Sequence, residues 1–219
     1  MDERSQGIVL RVHPLTETSL IIRWLTPDLG RLATVAKGAR RPKSPYRGKL
    51  DLFYVAEFTF RRSRRSDLHA LREVSLRETH SFLRRELGYL RQVSYCAALI
   101  EQTTEMETPI PVVFHFMRSL LEALSARLPV PQTILAFELK LLSELGLKPD
   151  LEKSRLSSPA RELVKPLSDS AWLAILNLDF NPAQLTELQQ FLHGFLIYHL
   201  GKIPASRAAA LIVGPNSRH

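Results

Sequence analysis

Two periodicities and one asymmetry of charge predict an α+β protein: a small β-barrel followed by an all-α domain. Up to about residue 80, apolar residues alternate with polar ones, the two-residue period of a strand. From residue 81 they recur every three or four positions, the period of a helix face. The charge changes at the same place. Residues 1–80 carry 16 Lys and Arg against 9 Asp and Glu, whereas residues 81–219 carry 14 against 13, so the net charge of +8 belongs almost entirely to the first part. The predicted domains are therefore 1–80 and 81–219. A one-sided basic excess points to a polyanionic partner, nucleic acid foremost, and says nothing about fold.

The strands follow in order. Residues 6–13 place Ile8, Leu10 and Val12 on one face and end at Pro14. A polar turn leads to residues 19–26, with Leu20, Ile22 and Trp24 on one side and Ile21, Arg23 and Leu25 on the other. Pro27-Asp-Leu-Gly30 is composed as a β-turn, and residues 31–36 complete a three-strand meander. Residues 50–60 predict a long fourth strand, with Leu52, Tyr54, Ala56, Phe58 and Phe60 of one parity, and residues 68–79 a fifth. Five strands in about 80 residues is the size and count of an OB-fold, a barrel that commonly grips single strands across its face and loops. An SH3-like barrel has the same strand count, and periodicity leaves it open.

Between the third and fourth strands runs Lys37-Gly-Ala-Arg-Arg-Pro-Lys-Ser-Pro-Tyr-Arg-Gly-Lys49, six cations without an acid. Its prolines and glycines exclude a continuous helix or central strand. In an arbitrary protein such a run is as often a solvated loop as a binding site. Flanked by barrel strands, it becomes the first candidate for phosphate contact, through Lys37, Arg40, Arg41 and Lys43, then Arg47 and Lys49. A second basic turn, residues 61–66, adds Arg61, Arg62, Arg64 and Arg65, which either extend the groove or form a solvated hairpin tip. Tyr46, Phe53 and Tyr54 are the candidate stacking platforms, although aromatic residues at strand parity are more often core. Contact with about six phosphates predicts a slope of log K on log salt near −4 for single strands.

Beyond residue 80, Ser81 is composed as the N-cap of a helix over 82–103, with Leu83, Leu87, Leu90, Val93, Ala97 and Ile100 as its stripe. Proline-punctuated breaks separate helices at 112–128 and 132–145, the latter stopped at Gly146. Residues 147–168 read as loop with at most a short turn, residues 169–178 as a short helix. Asn181-Pro182 caps and opens the last long helix, and a further turn is expected at 208–212. Arg118, Arg127 and Lys140 read as helix-surface charges.

Cys96 is the only cysteine, which excludes a disulfide framework and a cysteine zinc site and fits a reducing compartment. Its apolar helical surroundings predict a small buried hydrophobe. The N-terminus lacks an apolar leader core, and no stretch approaches the roughly 18 apolar residues of a membrane span. The histidines show no metal spacing, and a phosphate-cradling glycine loop is missing, so neither a cofactor nor catalysis is expected. A nuclease would need a metal–carboxylate cluster that no Asp/Glu spacing suggests.

The order of motifs resembles one family. Gly7-Ile-Val-Leu-Arg, Thr16-Glu-Thr-Ser-Leu, Thr26-Pro-Asp-Leu-Gly-Arg31 and Val35-Ala-Lys-Gly-Ala-Arg-Arg-Pro-Lys-Ser44 resemble the RecO family of bacterial recombination mediators. Phe137-Glu-Leu-Lys-Leu-Leu-Ser-Glu-Leu-Gly-Leu-Lys-Pro-Asp-Leu151 and Tyr198-His-Leu-Gly201 are similar to its helical domain. The resemblance implies an N-terminal OB-fold and binding of single- and double-stranded DNA with annealing of complementary strands. It also implies work with RecR to replace single-strand-binding protein by RecA, through recognition of the C-terminal tail of the single-strand-binding protein. A cytoplasmic, nucleoid-associated location follows. Many members carry a four-cysteine zinc module after the Pro-Asp-Leu motif; here Glu152-Lys-Ser-Arg-Leu-Ser-Ser158 stands in its place, so the metal-free version is expected. An OB-fold RNA-binding protein is the alternative reading.

Overall fold

The barrel closes because its first strand is long enough to pair on both sides. In the computed structural model, which describes residues 2–212, β1 (Asp2–Pro14) pairs through its second half with β2 (Leu20–Thr26) and through its first half with the fourth strand, β4 (Val55–Arg61). A register shift between Val9 and Arg11 marks the changeover, and an extra residue of this kind bends a strand. With β3 (Gly30–Ala36) and β5 (Leu68–Glu78) the order around the barrel is β1-β2-β3-β5-β4. All neighbours are antiparallel except β3 and β5, which pair in parallel from Ala33↔Leu68 to Val35↔Ala70. That order is the OB-fold, and each strand has a paired neighbour on both sides.

The parity predicted for Ile22 and Trp24 of β2 and for Ala56, Phe58 and Phe60 of β4 faces inward and fills the barrel. Val9, Ile22, Trp24, Leu32, Ala36, Phe58, Phe60, Leu71 and Val74 form one buried cluster. Trp24 stacks on Phe58 at 4.2 Å, and its Nε1–H donates to Thr34 Oγ1 at 2.9 Å, so the indole is packed and its polar atom satisfied.

The fourth strand starts later than the alternation of residues 50–60 predicts. Residues 50–54 turn instead, with Phe53 in the left-handed region at φ 65°. Its N–H donates to Val9 O at 2.8 Å and its carbonyl accepts from His80 Nδ1 at 2.8 Å. These bonds hold a conformation that a phenylalanine on its own avoids.

One compact unit consists of the barrel up to Ser81 together with Thr104–Arg118; the other comprises Phe82–Thr103 and the chain from Ser119. A single cut at residue 80 omits the return of residues 104–118. Gly30 makes that return close: at φ 68°, a Cβ there would lie 1.9 Å from Thr108 O. Arg31 fastens it, donating from Nε to Thr104 Oγ1 at 2.8 Å and from Nη2 to Thr104 O.

After the barrel, residues 81–84 form a 3-10 turn, and α1 (Leu87–Thr103) begins later than a Ser81 cap predicts. Residues seven apart in one continuous helix lie about 10 Å apart along its axis. The break instead brings the Phe82 and Tyr89 rings edge to face at 5.4 Å. Next come α2 (Pro111–Leu124), which runs from one unit into the other, and α3 (Gln132–Glu144).

Residues 158–168, read as loop, are helical within α4 (Ser158–Asp169), despite Pro166 inside it. Ser157 Oγ caps Ala160 N–H, Pro159 sits in the first turn where its missing donor costs nothing, and Ala160, Val164 and Leu167 are buried. At its far end Lys140 Nζ donates to Ser168 O and Ser170 O at 2.8 and 2.9 Å, a cation where the helix dipole favours one. Lys140 is therefore a helix clamp and not a free surface charge.

After α5 (Trp172–Leu176), shorter than residues 169–178, α6 (Pro182–Leu200) opens on the Asn181 cap, here with a reciprocal bond from Gln184. A short α7 (Arg207–Leu211) closes the described chain. It is held by a buried triad. Arg207 donates from Nε and Nη2 to the two oxygens of Glu138 at 2.7 and 2.8 Å, and Tyr95 donates to the same carboxylate at 2.6 Å. Burial and the Glu138 charge push the Tyr95 phenol well above its ordinary range, so it stays a donor. Cys96 is fully buried beside it, and burial likewise pushes its thiol up.

Candidate nucleic-acid interface

The cationic loop between β3 and β4 is a chain of turns. Backbone bonds Arg41 N→Gly38 O, Ser44 N→Arg41 O, Arg47 N→Ser44 O and Lys49 N→Tyr46 O follow one another, all between 3.0 and 3.2 Å. Gly38 at φ 70° supplies the reversal that starts the chain. Arg40 N–H reaches across to Thr18 O at 3.0 Å, fixing the loop to the one between β1 and β2. The anchor is Tyr46. Its ring belongs to the barrel core, and its hydroxyl donates to the carbonyls of Leu71 and Arg72, both at 3.0 Å.

Around this anchor the cations are turned outward. Lys37, Arg40, Arg41, Lys43 and Arg47 are exposed and Lys49 half-buried. Arg40 Nη1 donates to Thr16 O and Arg47 Nη1 to Pro42 O, which orients two of the guanidinium groups without neutralising them. Among the described residues no carboxylate is paired with any of the six.

The 61–66 turn differs. Arg61 Nε donates to Asp2 at 2.9 Å, and Arg62 donates from Nε and Nη2 to the two oxygens of Glu3 at 2.9 and 3.0 Å. The third nitrogen of Arg62, Nη1, is paired with Glu107. Asp2 and Glu3 are held below the ordinary carboxylate range, chiefly by the hydrogen bonds from Arg61 and Arg62. Arg64 and Arg65 are exposed, and among the described residues no carboxylate is paired with either. Together with Arg62, Ser63, Ser66, Asp67, His69 and Glu107 they line an open bowl of about 370 Å³.

Two of the three expected stacking platforms are not available, and the third is half-buried. Tyr46 and Phe53 are buried at 8% and 1% exposure, and Tyr54 packs against the barrel core. The reason is the barrel's small size: its inward residues and the loop that plugs it consume the aromatic rings. Of the described large apolar side chains in the barrel and its loops, only Leu15 is substantially exposed. What the loops present is charge.

Several residues escaped the reading of the sequence. Arg11 and Arg23 are register partners on β1 and β2, placed side by side although twelve residues apart. A second open groove, of about 410 Å³, gathers Arg4, Lys49 and Arg72 beside Tyr46, with Glu57 and Glu73 among its walls. Alternation marks the strands that carry these side chains, but only the register brings them together. Arg118, read as surface charge, is paired with Glu78 at 3.0 Å.

A closed five-stranded barrel in this order, with an acid-free cationic loop, defines a protein of the OB-fold class, a fold that commonly binds nucleic acids or oligosaccharides. The comparisons narrow this. Residues 1–80 match the family model for the N-terminal part of recombination protein O, and residues 84–157 the model for its C-terminal part. A DNA repair protein RecO from Rhodopirellula baltica is 35% identical over 147 residues, covering 67% of this chain and 54% of that protein. One from Anaeromyxobacter sp. (strain K) is 27% identical over 243 residues, covering 95% and 96%. One from Listeria monocytogenes is 28% identical over 151 residues, covering 69% and 58%. The matched region thus spans about half the length of the first relative and nearly all of the second. The chain belongs to the RecO family of DNA repair proteins.

Proposed function

We propose that this protein is a non-enzymatic recombination mediator. It binds single- and double-stranded DNA through the 37–49 loop, with Lys37, Arg40, Arg41 and Lys43 as first contacts, Arg47 and Lys49 next, and Arg61, Arg62, Arg64 and Arg65 extending the path. Screening of phosphate repulsion at this loop promotes annealing of complementary strands. The nearly neutral helical part holds protein partners, RecR and the tail of single-strand-binding protein, so that RecA replaces the latter at the nucleoid.

The observation that carries this reading is a loop with six cations, braced by turns and a buried tyrosine, and no carboxylate among its described partners. Charge without exposed rings favours backbone over bases, so affinity depends on salt more than on sequence. The test is annealing of complementary strands coated with single-strand-binding protein, with and without RecR, alongside affinity for DNA and RNA of one sequence. Failure to anneal coated strands, or a clear preference for RNA, would overturn the reading.

A further inference from the structure

Resting on that DNA-binding reading, we propose that Glu107 is an intramolecular gate on the basic turn at residues 61–66, a carboxylate that a phosphate must displace before Arg62 is free to bind.

Residue 107 lies 45 positions from Arg62, and three independent features bring it there. The returning segment is seated on Gly30, where only a missing Cβ leaves room. It is tied by Arg31 to Thr104, and by Glu107 N–H donating to Arg31 O at 2.8 Å. Glu107 itself is held in the left-handed region at φ 56°, a conformation uncommon for residues other than glycine that is kept where the surroundings impose it.

The imposed geometry aims both carboxylate oxygens at the turn. One pairs with Arg62 Nη1; the other lies 2.9 Å from His69 Nε2. Ser63 N–H donates to His69 Nδ1 at 3.2 Å, which makes Nδ1 the acceptor and leaves Nε2 to donate to Glu107. The carboxylate, the buried imidazole and the backbone of the turn thus form one hydrogen-bonded chain.

With Glu3 on its other two nitrogens, Arg62 and its acids carry a net negative charge. A strand first held by the 37–49 loop meets Arg64 and Arg65 with no described ion pair to break, but meets Arg62 only by expelling a carboxylate. The gate makes the turn a second-stage contact.

The experiment compares wild type, Glu107→Gln, Glu105→Gln and Glu107→Gln with Arg62→Gln, measuring single-stranded DNA affinity against salt and the salt that elutes each from heparin. Glu105 is an exposed neighbour that changes net charge equally without touching Arg62 in the described contacts. Freeing one arginine for one phosphate is expected to steepen the slope by about 0.7 and to raise affinity roughly fivefold at 0.1 M salt. The gain should be absent in Glu105→Gln and lost in the double variant. Equal or weaker binding by Glu107→Gln than by Glu105→Gln overturns the gate. Wild type failing to bind DNA overturns the DNA reading alone, since heparin still tests the gate. If Glu107→Gln does not fold, Glu3→Gln opens the same guanidinium and is held to the same outcomes.

Discussion

The two cationic segments of the barrel look alike as sequence and differ in what they offer. Residues 37–49 and 61–65 are both basic turns without an acid, six cations in thirteen residues and four in five. In the first, five of the six cations are exposed, and among the described residues none of the six is paired with a carboxylate. In the second, two of four arginines are occupied by Asp2, Glu3 and Glu107. The acids come from a neighbouring strand and from a segment some 45 residues onward, so counting local charge overstates what a ligand meets. Available charge is a tertiary quantity.

The comparison is sharpened most by an arginine whose acid is buried. Arg207→Met would leave Glu138 uncompensated in the helical unit and is expected to cost about 3–5 kcal/mol of stability. Arg62→Gln, at an exposed pair, should cost under about 1 kcal/mol. Urea unfolding of both variants measures the contrast, and similar losses would break it.

The functional side is broken or upheld by charge reversal. Replacing Lys37, Arg40, Arg41 and Lys43 by Glu should flatten the salt slope by about 3 and lower affinity at 0.1 M salt by at least ~500-fold. Arg64→Glu with Arg65→Glu should lower it by only about 25-fold, two contacts at ~0.7 each in slope. Fluorescence anisotropy over a salt series reads both, and equal losses would remove the distinction between the segments.

Tyr46→Phe probes the anchor and not the charge. It removes the donor to two carbonyls and should cost about 1 kcal/mol, with faster amide exchange across residues 44–49 and a smaller change in affinity than either reversal.

The smallest effect is that of pH. Glu3 has a folded pKa lowered below 4.5, so its stabilisation is present above that value and is lost as the pH falls through the lower folded one. Stability followed from pH 6 to 3 should decline less steeply in Glu3→Gln than in wild type.

Much of this was legible in the chain. The two-residue and 3.6-residue periods, the Asn181-Pro182 opening and the cationic loop are local signals, set by side-chain alternation, cap chemistry and composition. The late start of β4 was not, because the alternation of Leu52, Tyr54 and Ala56 continues through a turn that only Val9 and His80 impose on Phe53. Helix α4 was hidden by Pro166, whose local cost is offset by packing of Val164 and Leu167 and by Lys140 at the helix end. The stacking role expected of Tyr46 and Phe53 gave way to the demand of a small barrel for core.

By itself, then, the sequence determined a basic barrel ahead of a neutral helical part and placed the six cations of the 37–49 loop, since periods and charge are properties of neighbouring residues. Tertiary structure alone decided which cations remain available. A salt bridge joins groups distant along the chain, and neither Glu107 nor Glu138 carries any local mark of the arginine it meets.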